Sequence, residues 1–184
     1  MLNPPSNAYR YLDRFLADEV PIGEFEAGIY ASPEFEAELP VGGYFNLLAF
    51  DYRQPHADVA LAKLGRAVYD QGRPGFLSRD RAYRYACALL DGELPLPQAV
   101  HGLAHLWYSG YEWVWSEFIG ISSEFDDYPD PAQYPLWEPS ALAKYLEGWR
   151  DRKPVLEESA RALAREFLRA EFPHWPIPGE GEPG

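Results

Sequence analysis

The chain has 184 residues, a formal net charge of −13 at neutral pH and 47% hydrophobic residues, enough apolar mass for one domain with a sizeable core. A pI near 4.7 argues against binding to nucleic-acid phosphates or anionic lipid, both of which need clustered Lys and Arg. Cys87 is alone, which excludes an internal disulfide and zinc sites built on cysteine pairs; no apolar run approaches the ~20 residues that span a bilayer, and Met1 to Phe15 does not read as a secretory signal, so a reducing cytoplasm fits best.

Taken in chain order, the first organised segment is Tyr9 to Tyr30, which aligns without a gap on Tyr83 to Ala104 at an offset of 74 residues, with seven of 22 positions identical. Tyr9/Tyr83, Arg10/Arg84, Tyr11/Tyr85, Leu16/Leu90, Glu19/Glu93, Pro21/Pro95 and Gly28/Gly102 are the matching pairs. Each copy reads as a helical run, a short E-[VL]-P-[IL] connection and a second helical run, which is an αα-hairpin with proline near the start of its second helix. If the alignment is structural, Gly28 and Gly102 mark places where two helices come close, because a residue without Cβ lets another group approach.

Between the copies, Pro33 to Leu39 reads as a short turn, Tyr44 to Asp51 as a helix, and Ala57 to Asp70 as a longer helix through Val59, Leu61, Leu64 and Val68. QGRPG at Gln71 to Gly75 breaks the chain. Beyond the second copy, Trp113 to Ile121 is the only segment aromatic and β-branched enough to read as a strand, and a lone strand has no partner. A helix is expected from Pro139, with Leu142, Tyr145, Leu146 and Trp149 on one face, kinked or ended by Pro154; the stripe Leu156, Ala160, Leu163, Phe167 then continues helically to Phe172. The expected class is all-α: two related αα-hairpins, a long C-terminal helix and an irregular acidic aromatic segment. The expected organisation is one helical domain over 1–172, divisible into 1–72 and 76–172, followed by a Pro/Gly/Glu tail over 173–184 that is flexible unless Trp175 or Ile177 docks.

The acidic segment is the most informative. From Tyr85 to Ala143 there are 59 residues with no Lys or Arg and nine acids, and Trp107 to Trp137 holds ten aromatics. Carboxylates among large rings can steer and anchor a basic partner, and a single-sign patch repels itself unless something positive meets it. The ordinary reading is that the rings fill the core and the acids face water, and for some of them it must hold. The candidate partner-binding residues are Glu112, Trp113, Trp115, Glu117, Glu124, Asp126, Asp127, Tyr128 and Asp130.

Catalytic alternatives are thinner. His101 and His105, four apart, share one helix face as a metal-binding pair requires, but no spacing specifies a third ligand, and a half-buried helical His is ordinarily just hydrogen-bonded. Cys87 and His101 stand equally far from the second hairpin's bend and could face each other as a thiolate dyad, although no oxyanion donors are visible. Glu112 with Glu117, or Glu117 with Glu124, could serve as glycosidase carboxylates beside Trp113 and Trp115, yet nothing fixes their separation. The loop from Asp126 to Pro131 resembles a calcium ligand set only in charge, without the alternating oxygens and turn glycine of an EF-hand.

The run FIGISSEFDDYP followed by YPLWEPSALAKY has a cadence similar to that of a bacterial domain family of unknown function. FLADEVPIGEFEAGIYASPEFEAELPVGGYFNLLAFDY resembles the small acidic immunity proteins that bacteria pair with secreted toxins, with Asp18 standing where glycine is usual. Together these cover most of residues 9 to 150. The resemblance implies an all-helical, metal-free inhibitor that meets a basic nuclease by charge mimicry and aromatic anchoring. The expectation is therefore an acidic protein-binding module, immunity- or antitoxin-like, whose partner is a basic protein such as a toxin, with no cofactor, no nucleic acid and no membrane. The alternatives are a metal-assisted hydrolase using His101 and His105, or a helical scaffold.

Overall fold

The computed structural model describes residues 3–128 and 131–180. The fold is all-α. Among the described residues there are ten α-helices and one 3-10 helix and no strand: α1 (Asn7–Leu16), α2 (Ile22–Ala31), α3 (Pro33–Glu38), α4 (Val41–Leu48), α5 (Ala57–Gly72), α6 (Leu77–Asp91), α7 (Leu96–Tyr108), α8 (Glu117–Asp126), a 3-10 turn (Pro131–Leu136), α9 (Pro139–Trp149) and α10 (Arg152–Glu171). The strand-like run from Trp113 becomes a turn and then α8, where Phe118, Ser122 and Phe125 recur at helical spacing and are all buried. A helix satisfies its own backbone groups, which a solitary strand in this chain could not do.

Prolines set the helix starts. Pro33 and Pro139 stand at the first position of α3 and α9, where the missing N–H costs nothing, and Ser32 and Glu138 accept from the amides of Glu34 and Ala141 as caps. Pro21 and Pro95 sit one residue earlier, as the extended N-caps of α2 and α7. Pro154, expected to kink or end a helix, is instead the third residue of α10, inside the first turn where its N–H would have no partner; the break lies earlier, between Trp149 and Arg152.

The chain divides into two compact units, residues 1–81 and 82–184. In the first, α1, α2, α4 and α5 bury Leu12, Phe25, Ile29, Leu47, Leu61 and Tyr69, with Phe15 stacked on Phe25 at 4.2 Å. Glu38 of α3 accepts from the Ala8 amide at 2.9 Å, placing a carboxylate at the N-terminus of α1 where the helix dipole favours it. Beneath lies a buried ionic group. Asp80, 1% exposed, takes the Arg73 guanidinium through Nε and through Nη2 at 2.8 Å, and accepts from the Tyr69 hydroxyl at 2.7 Å. Arg81 Nη2 lies 2.6 Å from Asp13, itself 2% exposed. These bonds explain why the boundary falls after Arg81 rather than at QGRPG: the first turn of α6 is held by α1 and α5.

In the second unit the rest of α6 packs with α7, α8 and α10 around Phe167, which is fully buried. Trp113 stacks on Phe167 at 6.2 Å and 14°, while Trp115, Phe118 and Phe172 meet it at steep angles from 5.5 to 5.8 Å. The expected flexible tail behaves differently over 173–180. Trp175 is buried edge-on against Tyr83 at 4.8 Å, the Tyr83 hydroxyl donates to the Pro176 carbonyl at 2.5 Å, and Arg169 pairs with Glu180 at 2.7 Å. A single indole with that much apolar area offsets the ordering of several polar neighbours.

Local geometry recurs at the 74-residue offset. The Tyr11 ring packs so closely over Gly28 that a Cβ there would stand 2.6 Å from its hydroxyl, and a Cβ on Gly102 would stand 2.5 Å from the Tyr85 ring. Asp18 and Gly92 both take the left-handed conformation after the first helix, with φ of 58° and 75°. After α1 the turn closes with Glu19 N–H on Arg14 O at 2.9 Å and Asp18 N–H on Phe15 O at 3.0 Å, the two bonds of a Schellman motif.

Candidate functional site

The second unit carries the acidic aromatic segment, and its helices sort the expected residues into two groups. Trp113 and Trp115 turn inward as described, each half-buried, and Trp115 Nε1 donates toward Glu171 at 3.4 Å. They are core rings more than surface anchors. Glu112 and Glu117 are exposed and make no ion pair with a described residue. The exposed rings beside them are ones that sequence spacing did not single out: Tyr108 at the end of α7, 67% exposed, and Tyr111 in the following turn, 40% exposed. Burial decides between rings of equal hydrophobicity, and only the position of Phe167 reveals which way each points.

The second group clusters at the C-terminal end of α8, where the helix dipole disfavours negative charge. Two of the acids there have an offsetting neighbour. Glu124 pairs with Arg152 of α10, and Asp126 Oδ1 lies 2.7 Å from His101 Nε2 on α7. The Tyr145 hydroxyl donates to the Asp127 carbonyl at 2.7 Å, leaving the Asp127 side chain exposed. Tyr128 sits edge-on to Trp149 at 5.4 Å with the Lys153 ammonium 4.4 Å above its ring. Asp130 lies outside the described residues.

His101 is committed on both sides. Its Nδ1 is 2.5 Å from the Pro97 carbonyl and its Nε2 is 2.7 Å from Asp126 Oδ1, so both ring nitrogens meet oxygen atoms of the chain. His105 is exposed one turn further on. Among the described residues no group of three or more His, Cys, Asp or Glu side chains is placed to hold a metal ion. Cys87 packs against the core of its unit.

Two surface clefts flank α9. One, of about 560 Å³, is lined by Asp127, Trp137, Lys144, Tyr145 and Arg152; the other, of about 390 Å³, is lined by Tyr128, Tyr134, Leu146, Arg150 and Lys153, and Trp149 is shared by both. The Tyr128 phenol is held below its ordinary range by the Tyr134 hydroxyl bonded to it and by Lys153. The first unit has an exposed apolar stripe of its own, Val41 and Phe45 one turn apart on α4, with Tyr30 donating to the Leu48 carbonyl at 2.9 Å.

No protein-family model matches the chain, and neither a curated protein nor a solved structure matches it. Among the described residues no helix is long and apolar enough to cross a membrane.

Proposed function

We propose that the second unit is a docking module for a basic protein, in the manner of the acidic immunity proteins that bacteria pair with toxins. One observation carries this reading: Glu112, Glu117, Tyr108 and Tyr111 are all exposed and fall within ten positions of a stretch where no Lys or Arg occurs from Tyr85 to Ala143. Uncompensated carboxylates raise association rates with cationic surfaces, and half-exposed tyrosines supply contact area at small entropic cost. Trp113 and Trp115 support the surface from beneath, since their contacts with Phe167 fix the turn that presents Tyr111 and Glu112.

The test uses the purified product of any adjacent basic reading frame and surface plasmon resonance. Charge reversal in Glu112→Lys/Glu117→Lys is expected to slow association by about tenfold, and Tyr108→Ala to speed dissociation, with thermal melts unchanged because the sites are exposed. Association indifferent to charge reversal and to added salt, or no binding by any such product, refutes the reading.

A further inference from the structure

The smaller cleft beside α9 has a polar character opposite to the rest of its unit. Residues 82–184 hold eight Lys and Arg, and four of them, Lys144, Arg150, Arg152 and Lys153, fall within ten positions. Arg152 is engaged by Glu124, and Lys144 lines the other cleft. Arg150 and Lys153 therefore remain for the cleft of about 390 Å³, with Glu147 as the one carboxylate among the described residues of its lining. Arg150 forms no ion pair with a described residue.

Hydrogen bonding sharpens the contrast. Lys153 Nζ lies 3.4 Å from the Tyr128 hydroxyl oxygen, and the Tyr134 hydroxyl lies 3.5 Å from the same atom. With Tyr128 Oη accepting from both, its own proton is left to donate elsewhere, and Lys153 keeps two further N–H groups. The apolar part of the lining comes from Ala143, Leu146, Trp149 and Pro154. A cleft whose lining combines hydrogen-bond donors and two cations with several apolar side chains fits a ligand that carries acceptors and negative charge on an apolar body.

We propose that this cleft binds a small organic oxyanion, a carboxylate or phosphate monoester carried on an apolar ring or chain. The oxyanion takes the Lys153, Arg150 and Tyr128 donors, and the body lies along Leu146 and Trp149. The site is independent of the docking surface proposed above, which wants a cation.

Phenyl phosphate and benzoate are the probes, with inorganic phosphate and benzyl alcohol as the anion alone and the uncharged body alone, titrated into the full chain and followed by tryptophan fluorescence and calorimetry. At least one of the two probes is expected to bind with one-to-one stoichiometry and about tenfold more tightly than either control, and the tighter of the two assigns the headgroup. Arg150→Gln and Lys153→Gln should each weaken it by about tenfold, while Lys144→Gln, whose residue lines the other cleft, leaves it unchanged. If Lys153→Gln fails to fold, Arg150→Gln and Tyr128→Phe decide. No saturable binding by either probe, or a loss in Lys144→Gln equal to that in Arg150→Gln, overturns the proposal.

Discussion

Replacing Gly102 by alanine tests the packing of α6 on α7 in the second unit. Alanine is the better helix former by about 1 kcal/mol, so at an open helical site the change stabilises. Gly120 of α8 and Gly148 of α9 are such sites, with nothing within 4 Å of an added Cβ. At Gly102 the Cβ would meet Tyr85 Cε2 and Cζ at 2.5 Å. That ring cannot swing away freely: Tyr85 is 8% exposed, and the Arg84 guanidinium lies 4.4 Å from its centroid. Overpacking of this kind costs about 1–3 kcal/mol, which exceeds or cancels the propensity gain. In urea denaturation, Gly120→Ala and Gly148→Ala should therefore raise stability by up to about 1 kcal/mol, and Gly102→Ala should lower or fail to raise it. The sharper comparison is a double-mutant cycle. On a Tyr85→Leu background the obstructing ring is gone, and Gly102→Ala should regain the stabilising sign, giving a coupling of about 1–3 kcal/mol. A Gly102→Ala protein as stabilised as Gly148→Ala, or a cycle with no coupling, refutes the close approach.

Asp80→Ala leaves the Arg73 guanidinium buried without its carboxylate and should cost about 3–5 kcal/mol, read as early loss of the first unit in denaturant; a change below about 1 kcal/mol contradicts the buried ion group. Asp18→Gly relieves a left-handed residue and should stabilise by about 1 kcal/mol, whereas Gly92→Ala, imposing the same strain, should destabilise similarly in thermal melts. Burial, reinforced by Asp80, holds the Tyr69 phenol well above its ordinary value, and burial does the same for Tyr52. Because the folded forms keep their protons, this stability is intact below about pH 10 and is lost as pH rises above it; tyrosinate absorbance and far-UV circular dichroism should change together, and full ionisation with native dichroism contradicts the burial.

Helix spacing and proline punctuation made the class and most helix positions legible from residue order. The run Leu156, Ala160, Leu163, Phe167 is the interior stripe of α10. Three things were not legible, each because it depends on distant partners. The direction of Trp113 and Trp115 is set by Phe167, more than 50 residues away. The order of the tail past Phe172 is set by Tyr83. The paired state of Glu124 and Asp126 is set by Arg152 and His101, neither close to them in sequence. Exposure of Tyr108 and Tyr111 is a weaker case, since no local pattern separates them from the neighbouring indoles.

The attachment of Asp80 and Arg81 to Tyr69, Arg73 and Asp13 bears on how the chain is made. Synthesis runs from the N-terminus at about 5–20 residues per second, so the residues of α1 through α5 are all made once the chain reaches Gly72 and wait for the first turn of α6. Until residue 81 clears the ribosome, Arg73 lacks its carboxylate and Asp13 lacks its guanidinium. A nascent fragment ending at Gly72 is thus an open form, and one ending at Arg81 can close. The few residues after the turn act as a latch on the first unit at the moment the second begins to emerge.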